Sequence, residues 1–143
     1  MTPSLPEILR GQAVALSTPM PPEATGDYMA GRFGMLASLA ILASQEAERG
    51  PAARVWENNA LRQLFGRVAG AYDARLDGRL SAAAATADTE FTWSALDAAN
   101  ADLRRVLIAL HEAVEAANDA ALDREILALY RDMAHERRLE LGM

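Results

Sequence analysis

The chain contains no cysteine and no lysine, and it is poor in aromatic residues, glycine and proline. Without cysteine it has no disulfides, no thiolate metal ligands and no cysteine nucleophile. Without lysine it cannot carry the phosphate-binding lysine of a P-loop. Nine glycines and six prolines are too few for a loop-rich β-sandwich.

The distribution of charge argues against a nucleic-acid partner. The net charge is −6 and the isoelectric point is about 4.9. The 14 basic residues, all arginine, are spread along the chain and mostly lie beside acidic residues. The densest group is Arg124, Arg131, Arg137 and Arg138. Because acidic residues interleave with this group, we expect it to form a solvated helix face and not a phosphate-binding surface.

The apolar runs are too short for a membrane span. The longest, residues 33–43, reaches about half the length that crosses a bilayer. The first residues, Met1–Leu16, also lack the apolar core of a secretory signal. We therefore expect no membrane partner and a cytoplasmic location.

What the sequence does contain favours helix. There are 31 alanines among 143 residues, and alanine is the strongest helix former. Hydrophobic residues make up 51% of the chain, which excludes disorder. No stretch alternates apolar and polar residues for long enough to form a strand.

Capping signals and periodicity predict five helical segments. A short first helix covers 5–15 and is followed by a proline-rich linker. The second helix begins near 22–25 and ends at Gly50, where Gly50-Pro51 predicts a tight helix hairpin. The third covers 51–76, the fourth 93–117, and the fifth follows a break at Asn118-Asp119. An alanine-rich segment, 81–87, either continues the third helix or forms a short mobile one.

These elements predict an all-α fold, an antiparallel four-helix bundle with a short additional N-terminal helix. We expect one domain over residues 1–143, in which 1–21 form the first helix and linker and 22–143 form the bundle. The apolar seam of the fourth helix is interrupted by Asn100. A buried asparagine at such a position fixes the helix register or the oligomeric state.

Metal or cofactor binding finds little support in the sequence. There are only two histidines, His111 and His135, and neither follows a glutamate by three residues as in di-iron bundles. His111 and Glu115 have helical spacing, but an antiparallel register places His135 about 12 Å from the level of His111. We expect no metal site, no cofactor and no catalytic residue.

Two groups of polar residues are candidate ligand-binding sites. A hairpin at Gly50 and an antiparallel third and fourth helix bring Glu46, Arg54, Asn58 and His111 to one level of the bundle. A carboxylate beside arginine stays ionised there, and histidine can transfer protons. A second group, Tyr28 and Arg32, flanks a glycine-rich face of the second helix.

The second helix is apolar on more than one face, which requires cover from the N-terminal helix or from a second subunit. A symmetric homodimer is the commonest solution. The sequence therefore favours a non-enzymatic protein that acts by self-association and by binding an unidentified protein partner. The alternative is a small-molecule-binding protein or enzyme that uses the polar layer or the glycine face.

Overall fold

A computed structural model describes residues 5–17 and 27–140, which form five helices and no strand. The helices are α1 (Leu5–Ser17), α2 (Asp27–Val68), α3 (Ala74–Ala84), α4 (Trp93–Ala117) and α5 (Ala120–Glu136). The predicted all-α class is confirmed. The proline-rich linker lies outside the described residues. Within the described residues, none of the helices combines the length and the apolar content that a membrane crossing requires.

The predicted hairpin at Gly50-Pro51 does not form, because helical geometry continues through both residues in α2. Proline removes one backbone donor from a helix, but it does not oblige the chain to turn. Gly50 also lacks the positive φ of a helix-ending glycine. The predicted second and third helices are thus one helix.

Helix α2 ends at Val68, before the predicted end at residue 76, because a polar turn follows it. Gly70 takes a positive φ of 94°. The Asp77 carboxylate accepts hydrogen bonds from the backbone N–H groups of Gly70 and Tyr72, at 2.9 and 3.2 Å. The side chain of Asp73 then caps the first turn of α3.

The chain divides into two compact units. The C-terminal unit comprises Pro51–Arg138, and the N-terminal unit comprises the described residues up to Gly50 together with 139–140. In the N-terminal unit the Gln12 side chain donates to the Leu36 carbonyl at 3.3 Å, which joins α1 to α2. Gln45 exchanges two hydrogen bonds with the backbone of Glu140.

The C-terminal unit has a continuous apolar core built from four helical segments. Every member of the α4 seam from Leu96 to Val114 is buried, as its heptad spacing predicts. α3 is held by Leu76 and Leu80, which fill the core where its alanines are too small to do so. The remaining large buried side chains are Leu61, Leu64 and Phe65 of α2 and Ile126 and Met133 of α5.

Side-chain pairs define the helix directions in this unit. Between α4 and α5, Asn100 pairs with Arg137 and His111 with Asp123, so the two helices are antiparallel about the Asn118 turn. Asn118 takes the left-handed conformation there, with φ of 55°. Between α2 and α4, two bonded pairs are each separated by 43 residues, so these helices run in the same direction. Helix α3, which packs on α4, returns the chain between them.

Candidate functional site

The C-terminal unit contains a polar network at its centre. Glu57 and Asn58 of α2 and Asn100 of α4 are buried, and Arg137 reaches them from the C-terminal end of α5. Arg137 donates to both Glu57 carboxylate oxygens, at 2.5 and 2.7 Å, and to the Asn100 side-chain oxygen at 2.7 Å. The Asn100 amide donates to Glu57 at 2.9 Å and to Asn58 at 3.0 Å. Three helices are joined in this way.

The network continues from Asn58 to the loop between α3 and α4. The Asn58 amide donates to Asp88 at 3.0 Å, and Arg62 donates to the same carboxylate oxygen at 2.6 Å. Arg62 also donates to the Thr86 hydroxyl at 3.0 Å, which in turn donates to the Ala83 carbonyl. The loop is therefore anchored to α2 by charge-assisted bonds.

These contacts set the ionisation of Asp88. The hydrogen bond from the Arg62 guanidinium holds the pKa of the Asp88 carboxyl below its usual value, although burial acts in the opposite direction. The Asn58 amide and the Arg62 charge lower the pKa further. Asp88 is thus a permanent anion at neutral pH, buried beside its cation.

The network is balanced in charge and almost closed. It contains two arginines and two carboxylates, Arg137 with Glu57 and Arg62 with Asp88. Among the described residues, the buried side-chain atoms without a hydrogen-bond partner are Asp88 Oδ2 and Trp93 Nε1. In this network the other donors and acceptors pair with one another. Its direct effect is to fix how α2, α4 and α5 align.

Arg54 lies on the same helix but in a different environment. Its Nε donates to Asp97 at 2.8 Å, and its guanidinium carbon lies 3.5 Å from the centre of the Trp93 ring. A cation stacked on an indole face at this distance makes a favourable cation–π contact. Arg54 therefore joins α2 to the first turn of α4.

The structure brings together only part of the predicted polar layer. Arg54 and Asn58 are both buried on α2, but Asn58 meets Asn100 where His111 was expected. The expected pairing assumed that α2 and α4 run in opposite directions. Glu46 is buried in the N-terminal unit.

The second predicted group, on the glycine face, lies in the N-terminal unit. Arg32 is half-buried there, and the side chain of Tyr28 lies outside the described residues. A Cβ added to Gly31 would meet nothing within 4 Å. Among the described residues, no other helix approaches Gly31 closely.

His111 lies instead at the α4–α5 turn, among acidic residues. Its Nε2 is 2.9 Å from Asp123 Oδ1 and 3.9 Å from Glu115 Oε1. The Tyr130 ring lies against the imidazole, with 5.7 Å between ring centres. Burial raises the pKa of the Tyr130 hydroxyl. A cleft of about 270 Å³ adjoins this cluster and is lined in part by Glu115 and Asp123.

Sequence reasoning missed four members of the buried network: Glu57, Arg62, Asp88 and Arg137. A signal for Glu57 existed, because it lies three residues after Arg54 and next to Asn58 on the predicted inner stripe. Arg137 carried no such signal, since its acidic neighbours indicate a solvated surface. That interpretation is wrong for Arg137, whose side chain is mostly buried against Glu57.

The chain matches no protein-family model, and no curated protein or solved structure shows significant similarity to it.

Proposed function

We propose that this protein is a self-associating helical protein, which forms a symmetric homodimer through its N-terminal unit while the C-terminal unit supplies a stable domain with its own apolar core. The observation that carries the proposal is the unequal burial of apolar side chains in the two units. Among the apolar residues of the N-terminal unit whose side chains the structure describes, Ile8 and Ala43 are buried, and fourteen are buried in the C-terminal unit. A small apolar core makes a unit of this size marginally stable, so cover by a second copy would stabilise it.

Along α2, one apolar stripe is exposed at Met35 and half-buried at Leu39 and Leu42. Met35 is 59% exposed, although it begins the stripe that continues through Leu39 and Leu42 at spacings of four and three. Ile41 on α2 and Leu9 on α1 are also exposed. Spacings of four and three are those of a helix seam that packs against a second helix.

Gly31 extends this face by one turn toward the N-terminus. A glycine inside a helix costs about 1 kcal/mol relative to alanine, so a compensating contact is expected. Among the described residues, nothing lies within 4 Å of a Cβ added to Gly31, so the compensating contact is proposed to come from a helix of a second copy. Gly31, Met35, Leu39 and Leu42 together are called the α2 face below.

A second copy of the chain fits the α2 face by symmetry. A two-fold axis next to Leu39 places two α2 helices antiparallel, with Met35 of one copy against Leu42 of the other. The symmetry repeats this contact, so the dimer buries Met35 and Leu42 of both copies. The proposal includes the cytoplasmic location that is expected from the short apolar runs of the sequence.

The experiment compares glutamate substitutions on and off the α2 face. Met35→Glu and Leu39→Glu place a charge in the proposed interface. The control, Leu127→Glu, places the same charge outside the interface, at a position of α5 about as exposed as Met35. Sedimentation velocity should show dimers for the wild type and for Leu127→Glu, and monomers for both α2 variants. Circular dichroism should show the same helix content in all four.

Three results would overturn the proposal. One is a wild-type chain that is monomeric while Leu39→Glu remains folded. Another is a dimer that Leu127→Glu dissociates and Met35→Glu does not, since the interface would then lie on the C-terminal unit. The last is a monomeric wild-type chain whose α2 face forms a stable complex with a different protein. That protein, and not a second copy of the chain, would then be the partner of the α2 face.

A further inference from the structure

The cluster of His111, Glu115 and Asp123 has the composition of a metal site. One imidazole nitrogen and two carboxylate oxygens can be supplied from adjacent turns of two helices, and these atoms all lie within 4.8 Å of one another. Imidazole with carboxylates suits zinc and its neighbours in the first transition series, while magnesium and calcium prefer oxygen alone. We infer that these three residues bind a divalent transition-metal ion, with zinc as the reference ion.

The distances fit such an ion with a small adjustment. Zinc binds nitrogen and oxygen at about 2.0–2.2 Å, so its ligand atoms in a tetrahedral site lie roughly 3.3 Å apart. His111 Nε2 is 2.9 Å from Asp123 Oδ1 and 3.9 Å from Glu115 Oε1, and the third pair of ligand atoms lies within 4.8 Å. Glu115 is the most exposed of the three, so its side chain can move by the remaining distance.

Charge and scaffold favour the same conclusion. Two carboxylates beside one imidazole attract a cation, and no arginine in the described part of the chain pairs with Glu115 or Asp123. The three residues stand on α4 and α5, which the left-handed Asn118 turn holds in a fixed antiparallel hairpin. Rigid helices position ligands better than loops do.

The neighbouring cleft distinguishes this site from a closed structural one. Three protein ligands leave a tetrahedral ion with a fourth position, which water or a small molecule can occupy. Glu115 and Asp123 line the cleft of about 270 Å³, so that position is reachable from solvent. The site lies wholly in the C-terminal unit, and it does not depend on self-association.

The test is calorimetric titration of untagged full-length protein with zinc chloride. We expect one zinc ion per chain. His111→Ala and Asp123→Asn should each weaken binding more than about tenfold, because even changes in the second shell of a metal site typically cost that much. His135→Ala and Asp102→Asn are the matched controls, since each makes the same change at a position outside the cluster.

A second readout keeps the test independent of the stability of the variants. The wild-type chain has only two histidines, so NMR can follow both imidazoles during the zinc titration. The His111 signals should shift and saturate while those of His135 stay in place. Absence of saturable zinc binding, binding that survives His111→Ala, or binding that His135→Ala abolishes would overturn the inference and leave His111–Asp123 as a simple hydrogen-bonded pair.

Discussion

Arg137 and Glu57 form a two-bond ion pair in the interior of the C-terminal unit, although 80 residues separate them in the sequence. Glu57 is fully buried and Arg137 reaches it from the end of α5. The pair therefore holds the last turn of the chain's final helix against α2. Such a pair adds little net stability relative to an apolar core, but removing one partner leaves the other uncompensated.

The two partners should differ in their response to substitution. Arg137→Gln leaves the Glu57 carboxylate buried without its cation, so we expect a loss of about 3–5 kcal/mol in the free energy of unfolding. Glu57→Gln should cost less, because Arg137 is partly exposed and can turn toward water. Urea unfolding measures both, with the exposed Arg131→Gln as a control that leaves stability unchanged. Equal stabilities for Arg137→Gln and Arg131→Gln would show that the pair does not form.

Asp88 should make the stability of the protein depend on acidity. Its pKa in the folded protein lies below the ordinary value because Arg62 bonds to the carboxylate. The stabilisation is therefore complete above the ordinary pKa of an aspartate, about 4, and is lost as the pH falls through the lower folded pKa. Unfolding in urea at a series of pH values should show a decline that begins near pH 4.

The variant Asp88→Asn isolates this contribution. It should be less stable than the wild type at neutral pH, and the difference should shrink as the solution becomes acidic. Asp102→Asn, which alters an exposed ion pair on α4, should show no such pattern. A difference between wild type and Asp88→Asn that stays constant down to the acid transition would contradict the assignment.

Arg54 should contribute more through Trp93 than through Asp97. Asp97 is half exposed, and ion pairs with exposed partners are worth less than about 1 kcal/mol. Arg54→Leu, by contrast, removes a buried cation from the Trp93 face, so it should destabilise the protein more than Asp97→Asn does. Tryptophan fluorescence in a Trp56→Phe background follows Trp93 alone, and its emission should change in Arg54→Leu only. Identical spectra in both variants would argue against the stacking.

The α4 seam provides a matched pair of neighbours. Leu107 is fully buried, whereas Ile108 is more than half exposed. Leu107→Ala should lower the free energy of unfolding by about 2–5 kcal/mol because it leaves a cavity. Ile108→Ala should change it by less than about 0.5 kcal/mol. Thermal and urea unfolding measure the stability of both variants. A larger loss of stability in Ile108→Ala than in Leu107→Ala would show that a different face of α4 is buried.

Local signals in the sequence predicted the elements that depend on local physics. The heptad spacing from Leu96 to Val114 located α4 and its buried face, and Asn118 marked the left-handed turn. Gly50-Pro51 was predicted to end a helix, but both residues also tolerate helical geometry and lie inside α2. No local pattern in the sequence distinguishes a helix that ends there from one that continues. The polar turn after Val68 depends on the Asp77 carboxylate, whose partners lie five and seven residues earlier.

The candidate sites show a similar limit. Asn100 was predicted to be buried and to fix the register, and its burial is confirmed. Its partners could not be predicted, because they depend on α2 and α4 running in the same direction and on α3 as a separate helix. The same error in direction placed His111 opposite Asn58. Arg137 shows that an arginine with acidic neighbours in the sequence can be mostly buried when it pairs with a single buried carboxylate, that of Glu57.

The most direct test of self-association is the mass of the native full-length chain, measured by sedimentation equilibrium over a range of protein concentrations. The α2 face predicts a species of twice the 15.4 kDa chain mass, which dissociates on dilution according to a single monomer–dimer equilibrium. A mass of 15.4 kDa at every concentration would contradict the account.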